Sequence, residues 1–164
     1  MPEDRPTLIT DSRELIRSDR RITLAVVHCS ATRVTQRYSP EQLVRDHLLR
    51  GYDGAGYHYY ITRDGSLYSL RHVDKEGAHA RGYNRYSLGI CYEGGLTAKG
   101  LPRDTRTPEQ RQTLKQLVAE LKQLYPDVYV VGHRDLSPDL NGDGDVTPEE
   151  WIKMCPCFNA KVLN

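Results

Sequence analysis

Three segments of the chain begin with the same pattern: a hydroxyl residue, then Pro, then Glu, then Gln or Glu. They read SPEQLVRDHLLRGYD from Ser39, TPEQRQTLKQLVAELKQLYP from Thr107, and TPEEWIKM from Thr147. A hydroxyl group caps the first N–H groups of a helix, and Pro is tolerated at the first helical position. The pattern therefore predicts three helices. In the longest, apolar residues at helical spacing predict one buried face, formed by Leu114, Leu117, Val118, Leu121, Leu124 and Tyr125.

Before and between these segments lie short runs of β-branched and aromatic residues, which predict strands: RITLAVVHCS, GYHYYITRDGSLYSL, YSLGICYEGG and DVYVVGH. The Asp64-Gly65 pair in the second run predicts a two-residue hairpin turn. Strands interspersed with helices favour an α/β fold, a single domain with a mixed central β-sheet flanked by helices. We expect residues 1–20 to form an N-terminal arm, with a helical hint only around SRELIR, and residues 21–164 to form the domain.

Composition narrows the choice of partners. A chain of 164 residues with 38% hydrophobic content has room for one domain with a real core. The 23 basic and 22 acidic residues include no long block of one sign, so we expect no nucleic-acid partner. The first residues, MPEDRPTLITDSRE, have no apolar signal-peptide core. We therefore expect the protein to be synthesised in a reducing cytoplasm and not to insert into a membrane. In that compartment the four cysteines are expected to be core thiols or metal ligands.

Two of the six histidines end apolar strands, where α/β folds tend to carry their chemistry: His28 in VVHCSAT and His133 in VVGHRD. Strand alternation turns Cys29 away from His28, so these two residues are not expected to share a metal. Two histidines and the nearby Cys-Pro-Cys suit zinc, since three protein ligands leave a fourth position for water. Spacing alone does not separate Cys155 from Cys157 as the thiolate ligand.

The other histidines and cysteines favour structural interpretations. Tyr57 and His58 are adjacent in a predicted strand, so only one of them is expected to face a pocket. The remaining residues are interpreted as core thiols (Cys29, Cys91), a hydrogen-bonded core histidine (His58) and surface or structural histidines (His47, His72).

A second metal pattern occupies the twelve residues from Asp139 to Glu150. Oxygen ligands stand at positions one, three, five and twelve with Gly at six, as in a calcium loop: Asp139, Asn141, Asp143 and Glu150, with Asp145 at position seven. Pro138 disfavours an incoming helix, so a complete EF-hand is not expected. The alternative is an acidic turn in which Thr147 and Glu150 form a capping box. We expect calcium, because four carboxylates crowded into one loop repel each other without a cation.

The motifs VVHCSAT, GYHYYITRDG, EGAHARGYNRYSLGICYEGG, GHRD and KMCPCF occur in the order found in N-acetylmuramoyl-L-alanine amidases. The chain resembles this superfamily, which includes phage lysozyme-type amidases and peptidoglycan recognition proteins, over roughly residues 22 to 158. The resemblance implies zinc ligands (His28, His133 and Cys155), catalytic residues (Tyr57 and Lys153) and residues lining the substrate groove (His79 and Asn84). Two features depart from the phage-type pattern: the long insertion between His133 and Cys155, and the additional thiol of Cys157.

The implied reaction is hydrolysis of the amide bond between N-acetylmuramic acid and L-alanine in peptidoglycan. Zinc would make hydroxide available near neutral pH, with Tyr57 and Lys153 as donors to the developing oxyanion or the departing nitrogen. The leading interpretation is a lytic enzyme of a phage or prophage that reaches the cell wall through a separate pore. Two alternatives stay open: a non-catalytic peptidoglycan-binding module, and a cytoplasmic amidase that recycles soluble muropeptides. We expect a monomer in each case.

Overall fold

The computed structural model describes residues 5–164; the first four residues of the predicted arm lie outside the described residues. Its centre is a six-stranded mixed sheet, accompanied by a two-stranded sheet and two α-helices. The strands are β1 (Thr7–Ile9), β2 (Leu24–Cys29), β3 (Thr32–Arg33), β4 (Tyr59–Ile61), β5 (Leu67–Ser69), β6 (Ser87–Tyr92), β7 (Gly95–Leu96) and β8 (Tyr129–Gly132), and the helices are α1 (Pro40–Leu49) and α2 (Pro108–Leu124). The predicted α/β fold with a mixed sheet is confirmed.

The large sheet has the strand order β1-β5-β4-β6-β2-β8. Its central strands are parallel: β2 pairs with β6 and β8, and β4 pairs with β6. The hairpin strand β5 runs antiparallel to β4 and to β1. Because β2 and β8 are parallel neighbours, their carboxyl ends lie side by side at one edge of the sheet, and this places His28 close to His133.

Two of the three predicted helix starts begin α-helices. Ser39 Oγ accepts a hydrogen bond from Gln42 N at 3.1 Å at the start of α1. Thr107 and Gln110 form a reciprocal capping box at the start of α2, with both bonds near 3 Å. In α2 the predicted stripe of Leu114, Leu117, Val118 and Leu121 is buried.

The third predicted helix, in TPEEWIKM, is wrong. Only a 3₁₀ turn forms at Pro148–Glu150, and Trp151 is already extended with ψ 125°. Only a few residues separate this turn from Pro156, which disfavours helical backbone at Cys155. So short a helix has little stability of its own.

The predicted hairpin forms between β4 and β5, but its loop is longer than two residues. Thr62 N donates to Ser66 O, and Gly65 N donates back to Thr62 O, so three residues lie between Thr62 and Ser66. The carboxylate of Asp64 accepts from Ser66 N at 3.0 Å and from the Thr62 hydroxyl at 2.7 Å. These side-chain bonds stabilise the wider turn, and Gly65 supplies the positive φ of +86°.

The two faces of the large sheet are covered by different helices. On one face, α2 packs against Val27, Cys29, Ile61 and Tyr92. On the other face, Leu43 of α1 packs against Tyr60 and Cys91. His28 lies between Val27 and Cys29 in β2, so its side chain projects on the α1 face.

The arm is built into the fold. β1 pairs with β5 at the sheet edge, and the SRELIR segment contains a 3₁₀ turn at Ser12–Glu14. Ser18 N donates to the Tyr125 hydroxyl at 2.6 Å. The guanidinium of Arg20 donates to the backbone carbonyls of Val73, Asn84, Arg85 and Ser87.

Within residues 5–164, none of the helices has the length and apolar character needed to cross a membrane.

Candidate active site

Three side chains from distant parts of the sequence meet at the carboxyl end of the parallel strands. One ring nitrogen from each of His28 and His133 and the thiol sulfur of Cys155 lie within 4.8 Å of one another. The two imidazole rings have centroids 4.5 Å apart. Two imidazoles and one thiol are a donor set that suits zinc and leaves a coordination position open.

Backbone contacts bring the Cys155 segment to the sheet. The thiol sulfur of Cys155 lies 3.2 Å from the backbone N of Cys29, and Arg134 N donates to the Cys155 carbonyl at 2.9 Å. A Cβ on Gly132 would lie 2.7 Å from the ring of Pro156. A glycine at the end of β8 therefore lets the chain carrying Cys155 approach His133.

The electrostatics favour the protonation states that a metal needs. Burial holds the pKa of His28 well below its ordinary 6.5, with His79, His133 and Lys153 adding to the effect. Burial, aided by the positive charge of Lys153, lowers the pKa of His133 to about 4. The thiol of Cys29 donates toward Cys155 and lowers the pKa of that thiol, against the opposing effect of burial. Neutral imidazoles and a thiolate are the metal-binding forms.

Tyr57 and His58 lie just before β4, and of the two only Tyr57 lines the cavity at the candidate ligands. The ring of Tyr57 lies 4.9 Å from the ring of His28 and lines the cavity at the three candidate ligands. Burial raises the pKa of the Tyr57 phenol well above 10, so it remains a hydrogen-bond donor at neutral pH. His58 is fully buried, and its Nδ1 accepts a hydrogen bond from Gly89 N at 3.0 Å.

The candidate ligands open into two adjoining cavities of about 420 and 470 Å³. Both cavities are lined by His79, His133 and Lys153. Asn84 lines the smaller one, where its Oδ1 accepts hydrogen bonds from the backbone N–H groups of His79 and Ala80. The predicted site residues Tyr57, Lys153, His79 and Asn84 are thus all brought to one groove.

The carboxyl end of α1 supplies groove residues that the sequence analysis missed: His47, Arg50 and Tyr52. His47 is buried, and its Nδ1 accepts a hydrogen bond from Gly56 N at 2.8 Å. Its position four residues after the buried Leu43 was a usable signal, because residues at that spacing share one helix face. Arg50 and Tyr52 carried no comparable signal.

The acidic loop is compact. Single carboxylate oxygens of Asp139, Asp143 and Glu150 lie within 4.8 Å of one another, and within the described residues Asp145 is not part of this cluster. The Glu150 carboxylate accepts hydrogen bonds from the backbone N–H groups of Leu140, Asn141 and Thr147. These bonds already satisfy much of its hydrogen-bonding capacity.

Comparisons with known proteins identify the family of the chain. A family model for N-acetylmuramoyl-L-alanine amidases matches residues 18–148. The endolysin of Klebsiella phage KP32 is 37% identical over 135 residues, covering 82% of this chain and 80% of the endolysin. A protein of Haemophilus influenzae is 51% identical over 97 residues, covering 59% of this chain and 84% of that protein. The structure of the amidase LysC from Clostridium intestinale URNW is similar, with a TM-score of 0.66 and 26% identity over 85% of this chain and 79% of LysC.

The chain therefore belongs to the N-acetylmuramoyl-L-alanine amidase family. Its enzyme class follows from that membership and from the phage endolysins among its relatives: it is a peptidoglycan amidase.

Proposed function

We propose that the enzyme uses zinc, bound by His28, His133 and Cys155, to hydrolyse the amide bond between N-acetylmuramic acid and L-alanine of peptidoglycan. The observation that carries the proposal is the convergence of these three donor atoms within 4.8 Å at the floor of a groove. The donor set fits zinc, and the low pKa values of the two imidazoles and the lowered pKa of the Cys155 thiol favour the ligating forms. When bound, zinc supplies Lewis acidity that activates water and polarises the amide carbonyl.

Cys155, rather than Cys157, is the proposed thiolate ligand. Its sulfur belongs to the cluster with the two histidines, whereas the thiol of Cys157 lies 3.5 Å from the Gly95 carbonyl. Hydrogen bonding with Cys29, together with burial, also raises the pKa of the Cys157 thiol, which disfavours its thiolate. Cys157 is therefore assigned a packing role.

Tyr57 and Lys153 are the proposed catalytic donors. Attack on the amide carbonyl places negative charge on its oxygen, and a neutral phenol and an ammonium group are suited to stabilise that charge. Tyr57 packs against the ring of His28, and Lys153 lines both cavities beside His133. The same two groups are placed to donate a proton to the departing nitrogen.

The groove suits a substrate that extends to both sides of the scissile bond. The two cavities meet at His133 and Lys153, so a sugar on one side and a peptide on the other each have a compartment. We assign His79 and Asn84 to the groove wall. Residues of the insertion after His133, including Ser137 and Ile152, form another part of that wall. The insertion therefore shapes the substrate range.

A phage-type lytic role is the proposed biological setting, supported by the endolysins among the relatives. In that role the protein reaches the cell wall through a separate pore and acts as a monomer. A non-catalytic binding module is disfavoured, because the complete set of three metal donors is present. Recycling of soluble muropeptides remains the second candidate.

Mass spectrometry of products tests the proposed bond. The enzyme is incubated with intact sacculi and, separately, with soluble muropeptides. The proposal predicts peptides with a free L-alanine amino terminus and glycans with a free lactyl carboxylate. Products cut between sugars or within the peptide would overturn it. Turnover of sacculi supports the lytic role, and turnover of soluble fragments alone supports recycling.

Calcium binding by the Asp139–Glu150 loop stays a prediction. The grouping of Asp139, Asp143 and Glu150 agrees with it. The backbone hydrogen bonds to Glu150 agree equally with the alternative, an acidic turn closed by a capping box.

A further inference from the structure

His28 has two ring nitrogens, and one of them is already engaged within the protein. Its Nε2 lies 2.9 Å from Nδ1 of His79, and the two rings meet edge to face with centroids 5.0 Å apart. A nitrogen in such a hydrogen bond is not free to ligate a metal. His28 therefore offers Nδ1 to the candidate metal centre.

The surroundings of His79 are shaped around its ring. A Cβ on Gly77 would lie 2.6 Å from the ring, and a Cβ on Gly89 would lie 2.7 Å from it. Gly89 is in the middle of the central strand β6, where glycine commonly marks a close approach. Ser87 Oγ lies 3.2 Å from the Nε2 of His79, and the Asn84 side chain holds the backbone N of His79. These contacts hold the His79 ring in one orientation.

Only one arrangement of ring protons leaves His28 able to bind a metal. Its Nδ1 must be unprotonated, so the proton of the neutral ring is on Nε2 and is donated to Nδ1 of His79. His79 then carries its own proton on Nε2, directed at Ser87 Oγ. In the opposite arrangement His79 donates to His28, and the His28 proton occupies the nitrogen that faces the metal centre.

We infer that His79 is a positioning residue, which accepts a hydrogen bond from His28 Nε2 and so fixes the rotamer and the tautomer that present His28 Nδ1 to the metal. Its role in metal binding rests on the proposed zinc centre. Partners of this kind typically contribute 10–100-fold to metal affinity. Although His79 lines the groove, it affects the reaction only indirectly, by positioning His28.

Two measurements test the inference. The first is ¹⁵N NMR of the metal-free wild-type protein, which reports ring tautomers without zinc. We expect a proton on Nε2 and none on Nδ1 in both His28 and His79. A proton on Nδ1 of His28 would overturn the inference.

The second measurement is zinc affinity, determined by competition with a chelator, alongside thermal unfolding of each metal-free variant to confirm that it folds. His79→Leu removes the acceptor, and we expect its zinc dissociation constant to rise about 10–100-fold. His79→Asn restores a side-chain oxygen that accepts a hydrogen bond, and we expect part of the affinity to return. His72→Leu is the control, since it removes an exposed histidine that does not line the groove and should leave zinc affinity unchanged.

The outcomes separate this inference from the proposed function. Wild-type zinc affinity in His79→Leu would overturn the role of His79 and leave the zinc centre standing. Absence of zinc binding by the wild-type protein would overturn the zinc centre itself, whatever the tautomers.

Discussion

The thiol of Cys155 lies 3.2 Å from the backbone nitrogen of Cys29, although the two residues are 126 positions apart in the sequence. This contact holds the segment after the acidic loop against the end of β2, beside His28. The side chain of Cys29 points into the core on the other face of the sheet. Cys29 thus contacts Cys155 through its backbone and its thiol without joining the cluster of candidate metal donors.

The first prediction concerns the two C-terminal thiols. Cys155→Ser should lose both stoichiometric zinc and amidase activity, because an alcohol is a poor replacement for a thiolate ligand. Cys157→Ser is the matched control and should retain most of each. Metal content by elemental analysis and activity on sacculi provide the measurement. A zinc-replete Cys155→Ser protein would show that the ligand was misassigned.

The second prediction concerns Tyr57. Tyr57→Phe should bind zinc normally but turn over about 10²–10³-fold more slowly, because it removes one donor to the developing oxyanion. Tyr129→Phe alters an exposed tyrosine of β8 and serves as the control. The substitution should change kcat more than KM, because the hydrogen bond from the Tyr57 phenol strengthens in the transition state. Unchanged turnover would remove Tyr57 from the mechanism.

The third prediction concerns Lys153. Lys153→Ala should also keep its zinc and lose about 10²–10⁴-fold in turnover, whether the ammonium stabilises the oxyanion or protonates the departing nitrogen. Lys99→Ala, which alters an exposed lysine, is the control. Steady-state kinetics on soluble muropeptide make the comparison. A Lys153→Ala enzyme as fast as the wild type would contradict the assigned role.

The fourth prediction concerns pH and His47. Burial, with a contribution from Arg50, lowers the pKa of His47 to about 4, whereas an unfolded histidine titrates near 6.5. Between these two values the unfolded chain binds the proton and the folded protein does not. The stability that His47 contributes is therefore complete above pH 6.5 and is lost as the pH falls toward 4.

Melting temperatures of the metal-free protein between pH 4 and pH 7 measure this effect. The wild-type melting temperature should fall with pH, and His47→Gln should fall less steeply because it has no group to titrate. Parallel curves for the two proteins would contradict the assignment. Buried His28 and half-buried His133 also have lowered pKa values, so a residual slope is expected in the variant.

The fifth prediction concerns the acidic loop. Calcium added to the zinc-loaded protein should bind with measurable heat and raise the melting temperature through ligand linkage. The double variant Asp139→Ala/Asp143→Ala should lose both responses. No response at millimolar calcium, or equal responses in the two proteins, would leave the loop as an acidic turn.

The sequence was sufficient to predict those elements that depend on local signals. Capping residues located α1 and α2, and runs of β-branched and aromatic residues located the central strands. TPEEWIKM carried the same capping signal but formed only a turn, because the nearby Pro156 and the position of Cys155 outweigh a local preference. The edge strand β1 was missed, since it is only three residues long and depends on its pairing with β5.

The candidate site was only partly accessible from sequence. Position at strand ends marked His28 and His133. Of Tyr57 and His58 only Tyr57 lines the cavity, but both residues precede β4, so alternation along that strand does not account for the difference. The contact between His28 and His79 joins residues 51 positions apart and depends on space left by two glycines. Such a contact follows from tertiary packing, and no local pattern indicates it.

In the proposed function, zinc bound by His28, His133 and Cys155 drives hydrolysis of the amide bond between N-acetylmuramic acid and L-alanine. The direct measurement is the rate at which free L-alanine amino termini appear from sacculi, before and after metal removal by a chelator and after reloading. We expect loss of the signal on removal of the metal, recovery at one equivalent of zinc, and no recovery with magnesium or calcium alone. Undiminished release of L-alanine termini from protein verified to contain no zinc would contradict the proposed function.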